Sequence, residues 1–216
     1  MNKKLAVFDL DGTLLYTLED LCASVNYALA QEALPLRTLD EVRNFVGNGI
    51  LKLIERAVPP GTDREQTLRV FAAFKAHYAL HSTDTTRVYE GVPELLEGLK
   101  NAGFRLGVVS NKADSAAGPI IAHYFPGVFD CVVGERENVR KKPAPDAVLE
   151  IIGNMGLNVG DCVYIGDSEV DIQTAENAGC DCISVSWGFK NREFLLNNGA
   201  KIVCDSAYAL VKALGL

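Results

Sequence analysis

The chain has no long apolar run. A bilayer-crossing helix needs about 20 consecutive apolar residues, and nothing in these 216 residues comes near that length. The apolar stretch nearest the N-terminus, Leu5-Ala6-Val7-Phe8, is too short even for the core of a signal peptide. A cytoplasmic protein with no membrane partner is therefore expected. Excess positive charge is missing too. Lys and Arg number 21 against 28 Asp and Glu, a net charge of −7 with the signs interspersed, which argues against a nucleic-acid surface. Histidine is scarce: His77, His81 and His123 offer no metal-ligand spacing beyond one i,i+4 pair, read here as helix surface. Six cysteines occur but no C-x-x-C pair, so reduced, buried thiols are expected rather than bridges or a metal knot. What is present is 48% hydrophobic residues, enough for one domain with a sizeable insertion. Oligomeric state is not legible, and a homodimer stays open.

Two patterns alternate along the chain. Strand-type apolar runs occur at Leu5–Phe8, Leu106–Val109, Cys131–Val133, Val163–Ile165, Cys182–Val185 and Ile202–Cys204, with helical periodicity between most of them. Such βαβ alternation predicts an α/β fold with a doubly wound, mainly parallel sheet. From about Thr17 to Thr83 only helical patterns appear: roughly Leu18–Ala33, Leu39–Phe45, Ile50–Ala57 and Asp63–His81, punctuated by Pro35 and Pro59-Pro60-Gly61. The expected organisation is an α/β core of residues 1–16 and 84–216 with a helical domain, 17–83, inserted after the first strand. An insertion there suggests a lid over the carboxyl edge of the sheet.

The most informative segment is Asp9-Leu10-Asp11-Gly12-Thr13-Leu14, placed directly after the first apolar run. Residues two apart on an extended chain point the same way, roughly 6–7 Å apart, so the carboxylates of Asp9 and Asp11 should converge. At an effective dielectric of 20 two such anions repel by about 3 kcal/mol, and the pair needs a cation, a proton, or both. Gly12 allows a tight turn with N–H groups close to an anion, and Thr13 adds a hydroxyl. Three further segments lie at strand ends or helix starts. Ser110-Asn111 offers a hydroxyl and an amide to a phosphoryl oxygen, or simply caps a helix. Lys141-Lys142-Pro143-Ala144-Pro145-Asp146 presents a cation on a backbone stiffened by two prolines. Gly166-Asp167-Ser168-Glu169-Val170-Asp171 follows a strand and places two carboxylates four residues apart, able to face one way. Oxygen ligands around a small hard cation describe a magnesium site.

In these four motifs, D-x-D-G-T, S-N, K-P-x-P and G-D-x-x-x-D in that order, the chain resembles the haloacid dehalogenase superfamily of phosphohydrolases. The resemblance implies a Rossmann-like core, with Asp9 as the nucleophile that becomes an aspartyl-phosphate and Asp11 as general acid and base. It implies that Gly12, Thr13, Ser110, Asn111 and Lys142 hold the phosphoryl group. Magnesium would lie on the Asp9 carboxylate, the Asp11 backbone carbonyl and Asp167, with Asp171 acting directly or from behind. The helical insertion corresponds to the superfamily's type 1 cap, and Phe45-Val46-Gly47-Asn48-Gly49-Ile50 within it is similar to phosphoglycolate phosphatases, implying that Gly47, Asn48 and Gly49 reach the substrate. The chain departs from many relatives at Tyr16-Thr17, where they carry Asp before Ser or Thr. The acid at Asp11 selects phosphatase or mutase over ion pump or dehalogenase, and Leu21 stands where mutases of this cap group typically carry a His. The expected activity is magnesium-dependent hydrolysis of a small phosphorylated metabolite, phosphoglycolate first. Pyrophosphate, nucleotide and sugar phosphates, or a sugar-phosphate mutase, are the alternatives.

Overall fold

The computed structural model describes residues 3–216. It divides into two compact units, Met1–Leu15 with Val88–Leu216 and Tyr16–Arg87. In chain order the described strands are β1 (Leu5–Phe8), β2 (Leu15–Tyr16), β3 (Arg87–Val88), β4 (Arg105–Ala113), β5 (Cys131–Glu135), β6 (Cys162–Gly166), β7 (Asp181–Val185) and β8 (Val203–Cys204). Six of them form one sheet in the order β5-β4-β1-β6-β7-β8. Every pairing in it is parallel. The two-residue strands β2 and β3 pair with each other where the chain leaves and re-enters the sheet unit.

The helices of Tyr16–Arg87 are α1 (Leu18–Gln31), α2 (Leu39–Phe45), α3 (Ile50–Ala57) and α4 (Arg64–His81). Leu18, Leu21, Val25 and Leu29 on α1, with Val70, Phe74 and Tyr78 on α4, bury at the 3.6-residue period and supply this unit's own core. Thr38 and Glu41 form a capping box at the start of α2, and the Asp63 side chain caps α4. Asp20, buried on α1, accepts from the backbone N–H and hydroxyl groups of both Thr85 and Thr86 and so ties the end of the unit to its beginning. Among the described residues no helix is long and apolar enough to cross a membrane.

In the sheet unit α5 (Val92–Asn101), α6 (Asp114–Tyr124), α7 (Asp146–Asn154), α8 (Glu169–Ala178), α9 (Arg192–Asn197) and α10 (Ala207–Leu214) alternate with the strands. Side chains of successive strand residues point to opposite faces, and β1 displays the result. Ala6 and Phe8 join a core with residues of α5, α6 and α10, while Leu5 and Val7 join a second core with residues of α7 and α8. Burial of each large side chain is worth roughly 1.5–3 kcal/mol, so a one-residue slip of β1 would exchange both faces at once. The odd-numbered face leads on to Asp9. Sheet order places β1 between β4, the next strand of the sheet in the chain, and β6, which begins the opposite half. That reversal is the topological switch point at which open α/β sheets bind ligands beyond the strands' carboxyl ends.

One boundary differs from the sequence expectation. The run Leu106–Val109 does not end before Ser110; β4 continues to Ala113 and α6 begins at Asp114, with the register to β5 shifting between Val109 and Ala113. A strand continues there with polar side chains because those side chains have partners in the site.

Candidate active site

Asp9 directly follows β1, on the face that also carries Tyr164, the register partner of Val7 on β6. Its backbone N–H donates to Ile165 at 2.8 Å, extending the β1–β6 ladder by one residue and fixing the carboxylate at the sheet edge. The chain then turns sharply: the N–H groups of Thr13, Leu14 and Leu15 all reach the Leu10 carbonyl. Gly12 has φ +89°, and a Cβ there would collide with the Asp167 carboxylate, so both conformation and space require glycine.

Lys142, just ahead of α7, extends into this edge and is buried. Its ammonium donates to Asp9 Oδ1 at 2.7 Å, Asp171 Oδ1 at 2.8 Å and the Tyr164 hydroxyl at 3.1 Å, which accounts for its three N–H bonds. Asp171 is itself held. Its Oδ2 accepts from the Ser168 hydroxyl at 2.6 Å and the Ser168 N–H at 3.1 Å in the capping box of α8, while Tyr164 adds a hydrogen bond to Oδ1 at 3.1 Å. Asn111 acts on the same lysine from behind: its Oδ1 accepts from the Lys142 N–H at 2.8 Å and its Nδ2 donates to the Lys142 carbonyl at 3.1 Å. The Asn111 amide thus grips backbone.

Asp167 lies beyond β6 and receives the Phe189 N–H at 2.6 Å on Oδ2 and the Thr13 hydroxyl at 3.4 Å on Oδ1. Asp9, Asp167 and Asp171 each offer a carboxylate oxygen, all within 4.8 Å of one another. Burial, then the Asp171 charge, pushes Asp9 up to about 7 against the pull of Lys142. Burial, with Asp171 and Asp9 adding repulsion, raises Asp167 well above the carboxylate range. For Lys142, burial alone would lower the pKa, but the charges of Asp171 and Asp9 outweigh it and hold the amine protonated. An all-oxygen set in which Asp9 and Asp167 resist ionisation is what a small divalent cation relieves, so these residues fit magnesium.

The sequence-read residues Asp9, Gly12, Thr13, Ser110, Asn111, Lys142, Asp167 and Asp171 therefore meet at one sheet edge. Asp11 stands slightly apart from the three-carboxylate cluster, its Oδ1 3.6 Å from the Lys112 ammonium. Ser110 is buried, its hydroxyl accepting from the Lys112 N–H at 3.2 Å. Gly47, Asn48 and Gly49 belong to the helical unit, in the turn between α2 and α3. Gly47 and Gly49 have φ of +123° and +86°, and Asn48 Oδ1 accepts from Arg56 at 2.8 Å.

Sequence reading missed Lys112, Tyr164 and the loop after β7, where the Phe189 N–H holds Asp167 and the indole of Trp187 donates to the Thr13 carbonyl at 3.1 Å. A tyrosine inside a buried strand and a lysine after a polar pair carry no motif. The one signal available was Trp187 itself, the only tryptophan in the chain.

A doubly wound parallel sheet with a carboxylate cluster and a buried lysine at its switch point defines an α/β phosphoryl-transfer enzyme. The model of the haloacid dehalogenase-like hydrolase family matches residues 6–185, and the chain belongs to that family. It is 36% identical over 194 residues to a phosphoglycolate phosphatase of Mannheimia succiniciproducens, covering 86% of this chain and 87% of that one. With the phosphoglycolate phosphatase of Pseudomonas putida it shares 32% identity over 217 residues, 96% of this chain and 78% of that protein. Among solved structures, a protein of Lactobacillus delbrueckii subsp. bulgaricus assigned as a phosphoglycolate phosphatase superposes with a TM-score of 0.93 at 36% identity, over 99% of both chains. The chain is a phosphatase, a phosphoric monoester hydrolase acting on a small phosphorylated substrate, and the mutase alternative is not favoured.

Proposed function

We propose that this phosphatase hydrolyses 2-phosphoglycolate in the cytoplasm, in a magnesium-dependent reaction through an aspartyl-phosphate on Asp9. The observation that carries the chemistry is the Asp9 carboxylate held 2.7 Å from the buried ammonium of Lys142 at the sheet edge. A phosphoryl group in transit carries charge on its equatorial oxygens, so positioning and cations do most of the work. Asp9 Oδ attacks phosphorus. Lys142, aligned by Asp171, Tyr164 and the Asn111 clasp on its backbone, pairs with the phosphoryl oxygens once Asp9 has become an acyl phosphate and lost its own charge. The Ser110 hydroxyl donates to a phosphoryl oxygen. Asp11 gives its proton to the leaving oxygen and then takes one from the water that cleaves the intermediate. Magnesium, when held by the Asp9 and Asp167 carboxylates with the Asp11 backbone carbonyl, supplies neutralisation of phosphoryl charge. Asp171 pairs with the Lys142 ammonium through Oδ1 and with the Ser168 hydroxyl through Oδ2, and its proposed part is to support Lys142.

The names of the relatives support phosphoglycolate as substrate. In the helical unit the Gly47-Asn48-Gly49 turn, braced by Arg56, is proposed to help select it. The test is steady-state hydrolysis of a panel holding 2-phosphoglycolate, pyrophosphate, a nucleoside monophosphate and sugar phosphates, each with magnesium and with chelator. The expected result is highest kcat/KM for 2-phosphoglycolate and none with chelator. A clear preference for another member overturns the substrate, and full activity in chelator overturns the metal.

A further inference from the structure

We propose that Cys162 and Cys180 are a dithiol site that a hydroperoxide converts into a reversible disulfide, locking β6 to β7 around the segment that carries Asp167 and Asp171.

Strand register brings the two cysteines together. β6 and β7 pair in parallel, with Val163 opposite Asp181 and Tyr164 opposite Cys182. One step back along this ladder sets Cys162, the first residue of β6, beside Cys180, the residue before β7. Paired strands run about 4.8 Å apart, inside the Cα separation of about 4.4–6.8 Å that a disulfide spans. Both residues belong to the core on the face covered by α7 and α8. Each is a free thiol in the structure.

The two differ as an attacking and a resolving thiol should. Cys162 is fully buried, whereas Cys180 is only partly so and its thiol makes a long contact, 3.7 Å, to the Ala175 carbonyl. A cation stands beside them. Lys3 donates to the Gly160 carbonyl at 2.8 Å and pairs with Asp181 at 2.6 Å, residues close to Cys162 and next to Cys180 in sequence, and its side chain is only 10% exposed. The Cys162 thiol, helped by Lys3, holds Cys180 below the ordinary thiol range against the pull of burial, while Cys180 and burial together push Cys162 up. A partly exposed sulfur with thiolate character beside a protonated one is the arrangement of a redox-active pair.

The chemistry balances with one peroxide. The Cys180 thiolate attacks a peroxide oxygen, the O–O bond breaks, and the departing hydroxide takes a proton to leave as water, so the sulfur becomes a sulfenic acid. Cys162 sulfur then attacks the sulfenic sulfur, the S–S bond forms, and the hydroxide leaves with the Cys162 proton as a second water. Two thiols are oxidised by two electrons and the peroxide is reduced by two. The bridge closes a loop of residues 163–179, holding all of α8, and so takes freedom from the unfolded chain. It forms at the end of β6 remote from Asp167, which leaves the chemistry at the other end untouched.

The full chain is treated with hydrogen peroxide and mapped by mass spectrometry without reduction. Wild type should lose two of its six free thiols, yield a peptide linking Cys162 to Cys180 within one chain, and regain both thiols in dithiothreitol. Its Tm should rise by several degrees on oxidation. C162S should stop at a sulfenic acid on Cys180 that dimedone labels, and C180S should form neither the label nor the bridge. If C162S does not fold, the wild-type peptide map and C180S decide the question. A bridge between other cysteines or between two chains, or a Cys180 oxidised past sulfenic acid with no bridge, overturns the site. A Cys162–Cys180 bridge that leaves Tm unchanged overturns the locking.

Discussion

Lys142 and Asp9 form a charge pair that the proposed reaction consumes, and this gives the substitutions at the sheet edge distinct signatures. Asp9→Asn is nearly isosteric but cannot form an acyl phosphate, so turnover should fall below detection while inorganic phosphate still binds, read by steady-state assay and calorimetry. Asp11→Asn should be selective: an aryl phosphate, whose leaving group needs little proton help, should keep far more of its rate of Asp9 phosphorylation than an alkyl phosphate does. Asp167 and Asp171 should separate by readout. Asp167→Ala should raise the magnesium concentration needed for half-activation by about 10–100-fold. Asp171→Ala should leave the Lys142 ammonium short of its buried partner, lowering kcat and costing about 3–5 kcal/mol of stability by denaturant titration. Equal magnesium responses in the two variants would contradict the division between ligand and support. The glycine at position 12 belongs to the same scale: with φ +89° and the Asp167 carboxylate against the missing Cβ, Gly12→Ala should disturb Asp167 before it disturbs the fold.

Single elements explain what the sequence could and could not reveal. β1, β6 and the four helices of Tyr16–Arg87 were legible because short, fully buried apolar runs and 3.6-residue periodicity leave little choice. The extension of β4 through Ser110, Asn111 and Lys112 was not, since three polar residues after an apolar run have the composition of a turn. They are strand because Asn111 binds the Lys142 backbone and Lys112 faces Asp11, contacts with residues distant in the chain. For the same reason Asn111, read as a phosphoryl ligand, is found clasping the Lys142 backbone. β2 and β3, two residues each, have no period to detect. The four motifs that meet at the sheet edge could be picked out as a set, being short and local, whereas Tyr164 and the Phe189 N–H join them only through sheet order. In the helical unit, Gly49 is the N-cap of α3 with φ +86°. Gly49→Val should therefore cost about 1–2 kcal/mol from conformation alone. If the turn also selects substrate, Asn48→Ala, which frees Arg56, should lower kcat/KM for phosphoglycolate more than for p-nitrophenyl phosphate. An unchanged ratio with a lowered Tm would make it a structural turn only.

For the molecule as a whole, the clustered acids link stability to pH and metal. Asp9 is raised to about 7 and Asp167 well above the usual range, so without a divalent cation the folded state binds protons that the unfolded chain, titrating near 4, has released. Their contribution is fully present below about pH 4 and is lost as pH rises toward 7. In chelator, Tm should therefore decline across that window by several degrees more for the wild type than for Asp9→Asn, and magnesium should remove most of the difference near neutral pH. A Tm profile that rises through the same window in chelator and is indifferent to magnesium would refute the linkage. The sheet order has a further consequence, for synthesis. β1 leaves the ribosome before the strands that flank it in the finished sheet, since Leu5 pairs with Arg105 on one side and Cys162 on the other. Asp9, the proposed nucleophile, is thus made well before its lysine and the other two carboxylates of the cluster, which come from residues 142 to 171. A nascent chain carries Asp9 with no lysine beside it until Lys142 is made, and phosphatase activity begins only when the sheet closes around β1.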